Sequence, residues 1–253
     1  VWEAPSATRI RTWQTSSGLS GLSLALNAGY VLPQPLSGKM SLFDGRLIVD
    51  ASLTSMLAKP VSSCLSPKSE YLAIGTAGVP GMARTVVRLS GIASDYQHDG
   101  VEAFEGVASA LAWSADGRSL FAAVRERTQS RLLELESPTL NVRAEIDVEP
   151  MTGTWNVDAF DAQRSVAGAT HLLPSPDGKI LVTYGHHTSK SSPYQIRYWR
   201  KSNEKWPQDN AKVVDSKQPM LETNMTGTPM VFVNQQSSQL AVVGKTGFAV
   251  IDG

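Results

Sequence analysis

The 253-residue chain holds a single cysteine, Cys64. That excludes a disulfide within the chain and a four-cysteine zinc site. Charge is scarce as well: Asp, Glu, Lys and Arg make up 18% of the residues, against roughly 25% in an average globular protein. The two signs cancel at 23 each, so no basic surplus exists to attract nucleic acid or an anionic membrane. Long apolar runs are missing too. The longest uncharged stretch, residues 12–38, is broken by Gln14, Asn27, two prolines and several serines and glycines, whereas a membrane span needs about 20 mostly apolar residues in a row. A soluble protein is expected, in a compartment that one thiol does not specify. The chain opens on Val1 rather than Met, which points to a processed or excised N-terminus.

Signatures of catalysis are equally sparse. There is no glycine-rich dinucleotide fingerprint, no phosphate-binding P-loop, no Gly-x-Ser-x-Gly elbow and no His-Glu-x-x-His or His-x-His spacing. Ser202-x-x-Lys205 and Lys245-Thr246-Gly247 look like pieces of a penicillin-binding signature, but its middle motif is lacking. No cofactor is expected.

What the chain does have is repetition, with enough apolar residues (42%) to bury a core. Residues 61–75 read VSSCLSPKSEYLAIG, residues 111–124 LAWSADGRSLFAAV, residues 172–185 LLPSPDGKILVTYG and residues 231–244 VFVNQQSSQLAVVG. Each joins two short apolar runs through a polar turn. With Ser66, Ser114, Ser175 and Asn234 as anchors, Leu72, Leu120, Leu181 and Leu240 each follow six residues later. The Asp116-Gly117 and Asp177-Gly178 pairs supply positive φ for a tight turn, and Pro67 and Pro176 pre-set a turn φ. Runs of four to six apolar residues are strand-length, so each unit is a β-hairpin. Third strands are expected at residues 85–89, 131–136, 194–200 and 247–251, and fourth strands at 142–148 and 211–217. Residues 1–57 offer further strands, at 9–13, 22–26 and 45–50, but no matching hairpin.

The SPDGK-x-L hairpin followed by a third strand such as YQIRYWR resembles WD-repeat and related bacterial β-propeller repeats. The Trp-Asp dipeptide and the recurrent Gly-His pair are absent, so the resemblance is to a divergent form and concerns architecture. It implies an all-β fold, a β-propeller with about four to five antiparallel blades in view, its ring open to completion by sequence outside this chain. Residues 58–253 carry the repeats, with blades starting near 58, 107, 169 and 228. Residues 1–57 form an N-terminal β segment, a candidate divergent blade, and the whole reads as one domain.

Strand direction in such a repeat puts the first-to-second hairpins at one face and the second-to-third loops and blade crossings at the other. The long segments fall in the second set: 75–84, 125–130 and 186–193 within blades, and 91–106, 149–168 and 218–228 between them. Asp95, His98 and Asp99 are assigned to the first crossing, and Trp155, Asp158 and Asp161 to the second. His171 opens a first strand, and His186 and His187 follow a second strand. Loops on a rigid scaffold carry function, so these nine residues define the candidate binding face, with a metal left undetermined. Trp113 is expected in the core. Tyr198 and Trp199 point to opposite faces of their strand, which leaves room for one of them to be exposed, but packing against the neighbouring blade is the favoured reading. Cys64 is expected to be a buried small apolar residue.

Two functions fit. The favoured one is a non-catalytic propeller scaffold that binds protein partners within a larger assembly, with neither nucleic acid nor a membrane span involved. The alternative is a ligand- or metal-binding propeller, enzymatic in some cases, that uses the His- and Asp-bearing loops.

Overall fold

A computed structural model describes residues 2–3, 8–9, 23–25, 29–34, 39–43, 48–52, 59–68, 70–77, 87–91, 98–102, 107–126, 129–150, 168–186, 194–203, 205–206, 212–214, 230–232, 239–244 and 247–252. Among them there is no helix, and so none long and apolar enough to cross a membrane. A short pair, β1 (Trp2–Glu3) and β2 (Thr8–Arg9), comes first. Sheet I follows, with β3 (Ser23–Ala25), β4 (Gly29–Gln34), β5 (Lys39–Phe43) and β6 (Ile48–Ser52). Sheet II contains β7 (Lys59–Leu65), β8 (Tyr71–Ala77), β9 (Val87–Gly91) and β10 (His98–Glu102). Sheet III contains β11 (Val107–Trp113), β12 (Ser119–Arg125), β13 (Gln129–Glu136) and β14 (Val142–Pro150). Sheet IV contains β15 (Gly168–Pro174), β16 (Ile180–His186), β17 (Tyr194–Arg200) and β18 (Lys212–Val214). Sheet V contains β19 (Met230–Phe232), β20 (Gln239–Gly244) and β21 (Gly247–Asp252).

In every sheet the strands pair antiparallel in chain order. Sheets II and III join through a single bridge, from Val107 at the start of β11 to Ala77 at the end of β8. The first strands lie side by side: β7 against β3 and β4, β11 against β7 and β8, β15 against β11 and β12. Strands β4 and β5 are additions to the sequence reading, and so is β10, which occupies part of the supposed 91–106 crossing.

The hairpin turns show why the anchor serine recurs. Ser114 Oγ donates to Asp116 Oδ1 at 2.7 Å and accepts from Ser119 N at 2.9 Å. Asp116 Oδ1 in turn accepts from Arg118 N at 3.0 Å. Sheet IV repeats this with Ser175 Oγ to Asp177 Oδ1 at 2.6 Å, Ile180 N to Ser175 Oγ at 2.8 Å and Lys179 N to Asp177 Oδ1 at 3.1 Å. In sheet II, Ser66 Oγ accepts from Glu70 N and Tyr71 N, both at 3.0 Å. All three serines are buried, so the hydroxyl satisfies turn amides that water does not reach. Gly117 and Gly178 take φ of 72° and 70°, the left-handed region that glycine enters without steric cost. Positive φ falls on the glycine of each Asp-Gly pair, while the aspartate supplies a hydrogen-bond acceptor. These bonds from the two serines hold the Asp116 and Asp177 carboxyls below the usual aspartate range.

Strand β12 shows how the core is divided. All seven of its residues are buried, although alternate side chains point to opposite faces. Leu120, Ala122 and Val124 join Ala73, Ala108, Trp113, Leu133 and Leu135 in a core towards sheet II. Phe121 and Ala123 join Leu181, Trp199 and Trp206 in a second core towards sheet IV. A strand covered on both faces reads as a continuous apolar run, and each fully buried Leu or Phe contributes roughly 1.5–3 kcal/mol. Of the repeated leucines, Leu120, Leu181 and Leu240 are all fully buried.

Candidate functional site

The strand pairing fixes which end of the sheets each candidate occupies. Strand β11 runs from Val107 towards its hairpin at 114–118, and β12 returns. The hairpins and third-to-fourth connections therefore lie at one end of each sheet. The strand ends that flank the second-to-third connections and the crossings 53–58, 103–106, 151–167 and 215–229 lie at the other, here called the crossing end.

His186 closes β16 opposite Gly168 and Tyr194, at the crossing end. His171 sits within β15, half-buried, with its ring 5.8 Å from that of Tyr184 and tilted by 54°. His98 and Asp99 do not lie in a crossing. They belong to β10, where His98 pairs with Ser90 at the hairpin end of sheet II. Turn-rich SDYQHDG looks like a loop, but backbone pairing to the outer edge of β9 does not depend on side-chain character. A bulge between His98 and Gly100 leaves Asp99 out of the register. The fold thus separates His98 from His186 by the length of a sheet. Asp95, Trp155, Asp158, Asp161 and His187 lie outside the described residues, Asp95 in the 92–97 connection between β9 and β10.

The crossing end of the III–IV seam holds polar groups that the sequence reading passed over. A cavity of about 20 Å³ lies there, lined by Arg125, Ser130, Asp147, Ala169, Thr183 and Trp199 among others, which is room for about one water. Arg125 is 4% exposed. Asp147 Oδ2 lies 3.5 Å from Arg197 Nη1, a pair that joins β14 to β17. Arg131 bridges Glu126, at 3.0 Å, and Glu145. Trp199 donates its indole N–H to Thr183 Oγ1 at 3.3 Å. Tyr198 and Trp199 are both buried, at 6% and 2% exposed, because sheet IV is covered on both faces at β17.

At the hairpin end the same seam closes on Glu134, 3% exposed on β13. Its Oε1 accepts from Ser119 Oγ at 2.7 Å and Lys201 Nζ at 3.3 Å, and its Oε2 from Trp206 Nε1 at 2.6 Å. Burial alone would raise this carboxyl's pKa. The hydrogen bonds from Trp206 and Ser119 and the charge of Lys201 outweigh that and hold it below the usual glutamate range. Glu134 was missed because RLLELE reads as an amphipathic strand with its acids in water. The one available signal was a polar residue flanked by leucines in a strand between two others.

Cys64 is half-buried against the II–III core. Burial pushes its thiol well above the ordinary range, which disfavours the thiolate. Among the described residues no group of three or more His, Cys, Asp or Glu side chains is placed to hold a metal ion.

No protein-family model matches the chain, and no curated protein matches it in sequence. Solved structures do. The chain is similar to a chain of Kuenenia stuttgartiensis hydrazine synthase at 12% identity and TM-score 0.59, over 97% of this chain and 66% of that one. It is similar to a chain of the mitotic checkpoint complex at 13% identity and TM-score 0.65, over 100% and 69%. The β-propeller domain of Myceliophteria thermophila Cps50 (Swd1) aligns at 11% identity and TM-score 0.64, over 100% and 76%.

The fold is a β-propeller. Identity this low speaks to architecture alone. The chain spans just under two thirds of the hydrazine synthase chain, at 66%. A propeller with satisfied hairpin turns and two-sided cores is a rigid frame, and its crossing end carries the longest connections.

Proposed function

We propose that this propeller is a non-catalytic scaffold that binds protein partners within a larger assembly, docking them on the crossing end. One observation supports the reading: the described strand ends that flank the two longest crossings, 151–167 and 215–229, and the 78–86 and 187–193 loops lie at the same end of their sheets. The first of these holds Trp155, Asp158 and Asp161, and the last holds His187, next to His186. Broad loop surfaces on a fixed frame suit partner recognition, and an exposed tryptophan is a frequent anchor at interfaces. Two of the similar structures come, by name, from a checkpoint complex and a propeller domain, which is in keeping with the reading. The cancelling charge argues for protein partners over nucleic acid, and the reading needs no cofactor.

The test is native mass spectrometry of the protein isolated from its source under mild conditions, as the wild type and with 151–167 replaced by a short Gly-Ser linker. A larger assembly for the wild type, lost in the variant with an unchanged circular dichroism spectrum, is the expected result. A bare-chain mass for the wild type overturns the scaffold reading. A second reading, a ligand or metal held by His171 and neighbouring loops, is favoured by the half-buried His171–Tyr184 contact. It would take over if the wild type carried a small bound mass that His171→Ala removed.

A further inference from the structure

The segment that follows β17 does not continue away from the molecule. It turns back through a bridge, with Ser202 N to Lys205 O at 2.8 Å and Lys205 N to Ser202 O at 3.0 Å. Trp206 is thereby delivered to the neighbouring sheet, where it is 8% exposed. Its ring stands edge-on to Phe121 of β12 at 5.8 Å, and Lys201 Nζ lies 4.7 Å from its centroid. A stretch that belongs to sheet IV in sequence is thus bonded into sheet III by one carboxylate, that of Glu134.

We propose that residues 201–203 and 205–206 form a strap across the III–IV seam, clasped by Glu134, and that acid opens the seam by undoing this clasp. The groups that face the carboxylate are Ser119 from β12, Arg143 from β14, and Lys201 and Trp206 from the strap. Arg143 Nη1 lies 3.9 Å from Oε1, and its other nitrogen bonds Glu136 at 3.2 Å. Every one of these groups is a donor or a cation, so each favours the ionised acid. Protonation converts one acceptor oxygen into a donor: at Oε2 it faces the Trp206 N–H, and at Oε1 only the Ser119 hydroxyl could accept it, by giving up the bond it now donates. It also removes the charge partner of Lys201, whose side chain is 16% exposed. The sign follows: the folded pKa is depressed, so the clasp is complete above the pKa of a free glutamate, about 4.3. It is lost as pH falls through the lower folded value.

The readout is the indole Nε1–H resonance of Trp206 in ¹⁵N-labelled protein, assigned with Trp206→Phe and followed as pH is lowered, with circular dichroism recorded in parallel. We expect a sigmoidal shift of this resonance while the β-sheet spectrum is intact. In Glu134→Gln the resonance should already be displaced at neutral pH and flat across the acid range. The same titration in Glu134→Gln, or a resonance that moves only when the whole sheet spectrum is lost, overturns the proposal. Should Glu134→Gln fail to fold, Lys201→Met serves in its place. Removing that cation must move the midpoint to higher pH, and an unmoved midpoint is equally decisive against the strap.

Discussion

The seam between sheets II and III and the seam between III and IV are built on the two faces of one strand, β12, with opposite chemistry. Towards sheet II the core is apolar and mostly aliphatic, with Ala73, Ala108, Ala122, Leu120, Leu133 and Leu135 around one buried aromatic, Trp113. The polar links there are single hydrogen bonds to backbone carbonyls: Ser62 Oγ to Ala108 O at 2.7 Å and Trp113 Nε1 to Cys64 O at 3.3 Å. Towards sheet IV the core is aromatic, and charge joins the sheets through Glu134 with Lys201 and through Asp147 with Arg197. One element is shared. Ser109 Oγ donates to Ala169 O at 2.7 Å, much as Ser62 reaches Ala108. Repeats of one hairpin therefore fix their spacing alike but need not share what fills it. The II–III seam should be indifferent to pH, and the III–IV seam should not.

The strongest way to break this contrast is Glu134→Ala. Removing one member of a buried, bonded charge cluster leaves the other charge uncompensated and costs about 3–5 kcal/mol. Urea unfolding at pH 7 should show that loss. At a pH well below 4 the loss should shrink, because the wild type has then given up the same carboxylate. An equal loss at both pH values would mean that Glu134 acts by packing, and the charged seam would be charged in appearance alone.

Gly75→Ala tests the other seam. A Cβ there would lie 2.3 Å from Ser62 Oγ, 2.7 Å from Ala108 Cβ and 2.9 Å from Ala108 O. Ser62 can swing aside only by giving up its bond to that same carbonyl, and the backbone oxygen is fixed by the β11–β12 ladder. Overpacking of this kind costs about 1–3 kcal/mol. The cost should be the same at pH 7 and in acid, since the groups being crowded do not titrate. A pH-dependent cost would show that the two seams are coupled through β12.

The hairpins were legible in the sequence because their chemistry is local. A buried serine, an aspartate acceptor and a glycine with positive φ sit within five residues, and the leucine six places on is dictated by the strand period. Strand β17 matches its sequence range at both ends, since YQIRYWR is bounded by a proline before and polar residues after. Strands β4, β5 and β10 were not legible. PQPLSGK between β4 and β5 lacks the Asp-Gly turn, and HDGVE pairs only because β9 offers an edge. The inner-strand bulges were hidden too, though they recur. Val61, Ser109 and Thr170 are each skipped in the register and each precedes its anchor serine by five residues. A bulge depends on what the neighbouring sheet requires, which no single strand encodes. For the site, His171 was read as opening its strand and lies within β15, and His186 was read as following its strand and instead closes β16. His98 was read in a crossing and lies in β10, because a polar fourth strand and a loop share a composition. Glu134 escaped notice because burial of its strand's polar face comes from the strap, 67 residues away from it at Lys201.

The finest test replaces the same group in both seams. Trp113 and Trp206 each donate an indole N–H across a sheet boundary, to a neutral carbonyl at 3.3 Å and to a carboxylate at 2.6 Å. Phenylalanine keeps a ring in each position. Trp113 is stacked on Tyr71 at 6.5 Å and 24°, while Trp206 stands edge-on to Phe121, so the smaller ring retains an aromatic partner in both. What remains is chiefly the hydrogen bond, worth about 0.5–1.5 kcal/mol to a neutral acceptor and about 1.5–3 kcal/mol to a charged one. Trp206→Phe should therefore cost about 1 kcal/mol more than Trp113→Phe in urea unfolding at pH 7, and the excess should vanish in acid. Equal costs at neutral pH would leave the difference between the seams to shape alone, since the donor is the same and only the acceptor's charge distinguishes the two bonds.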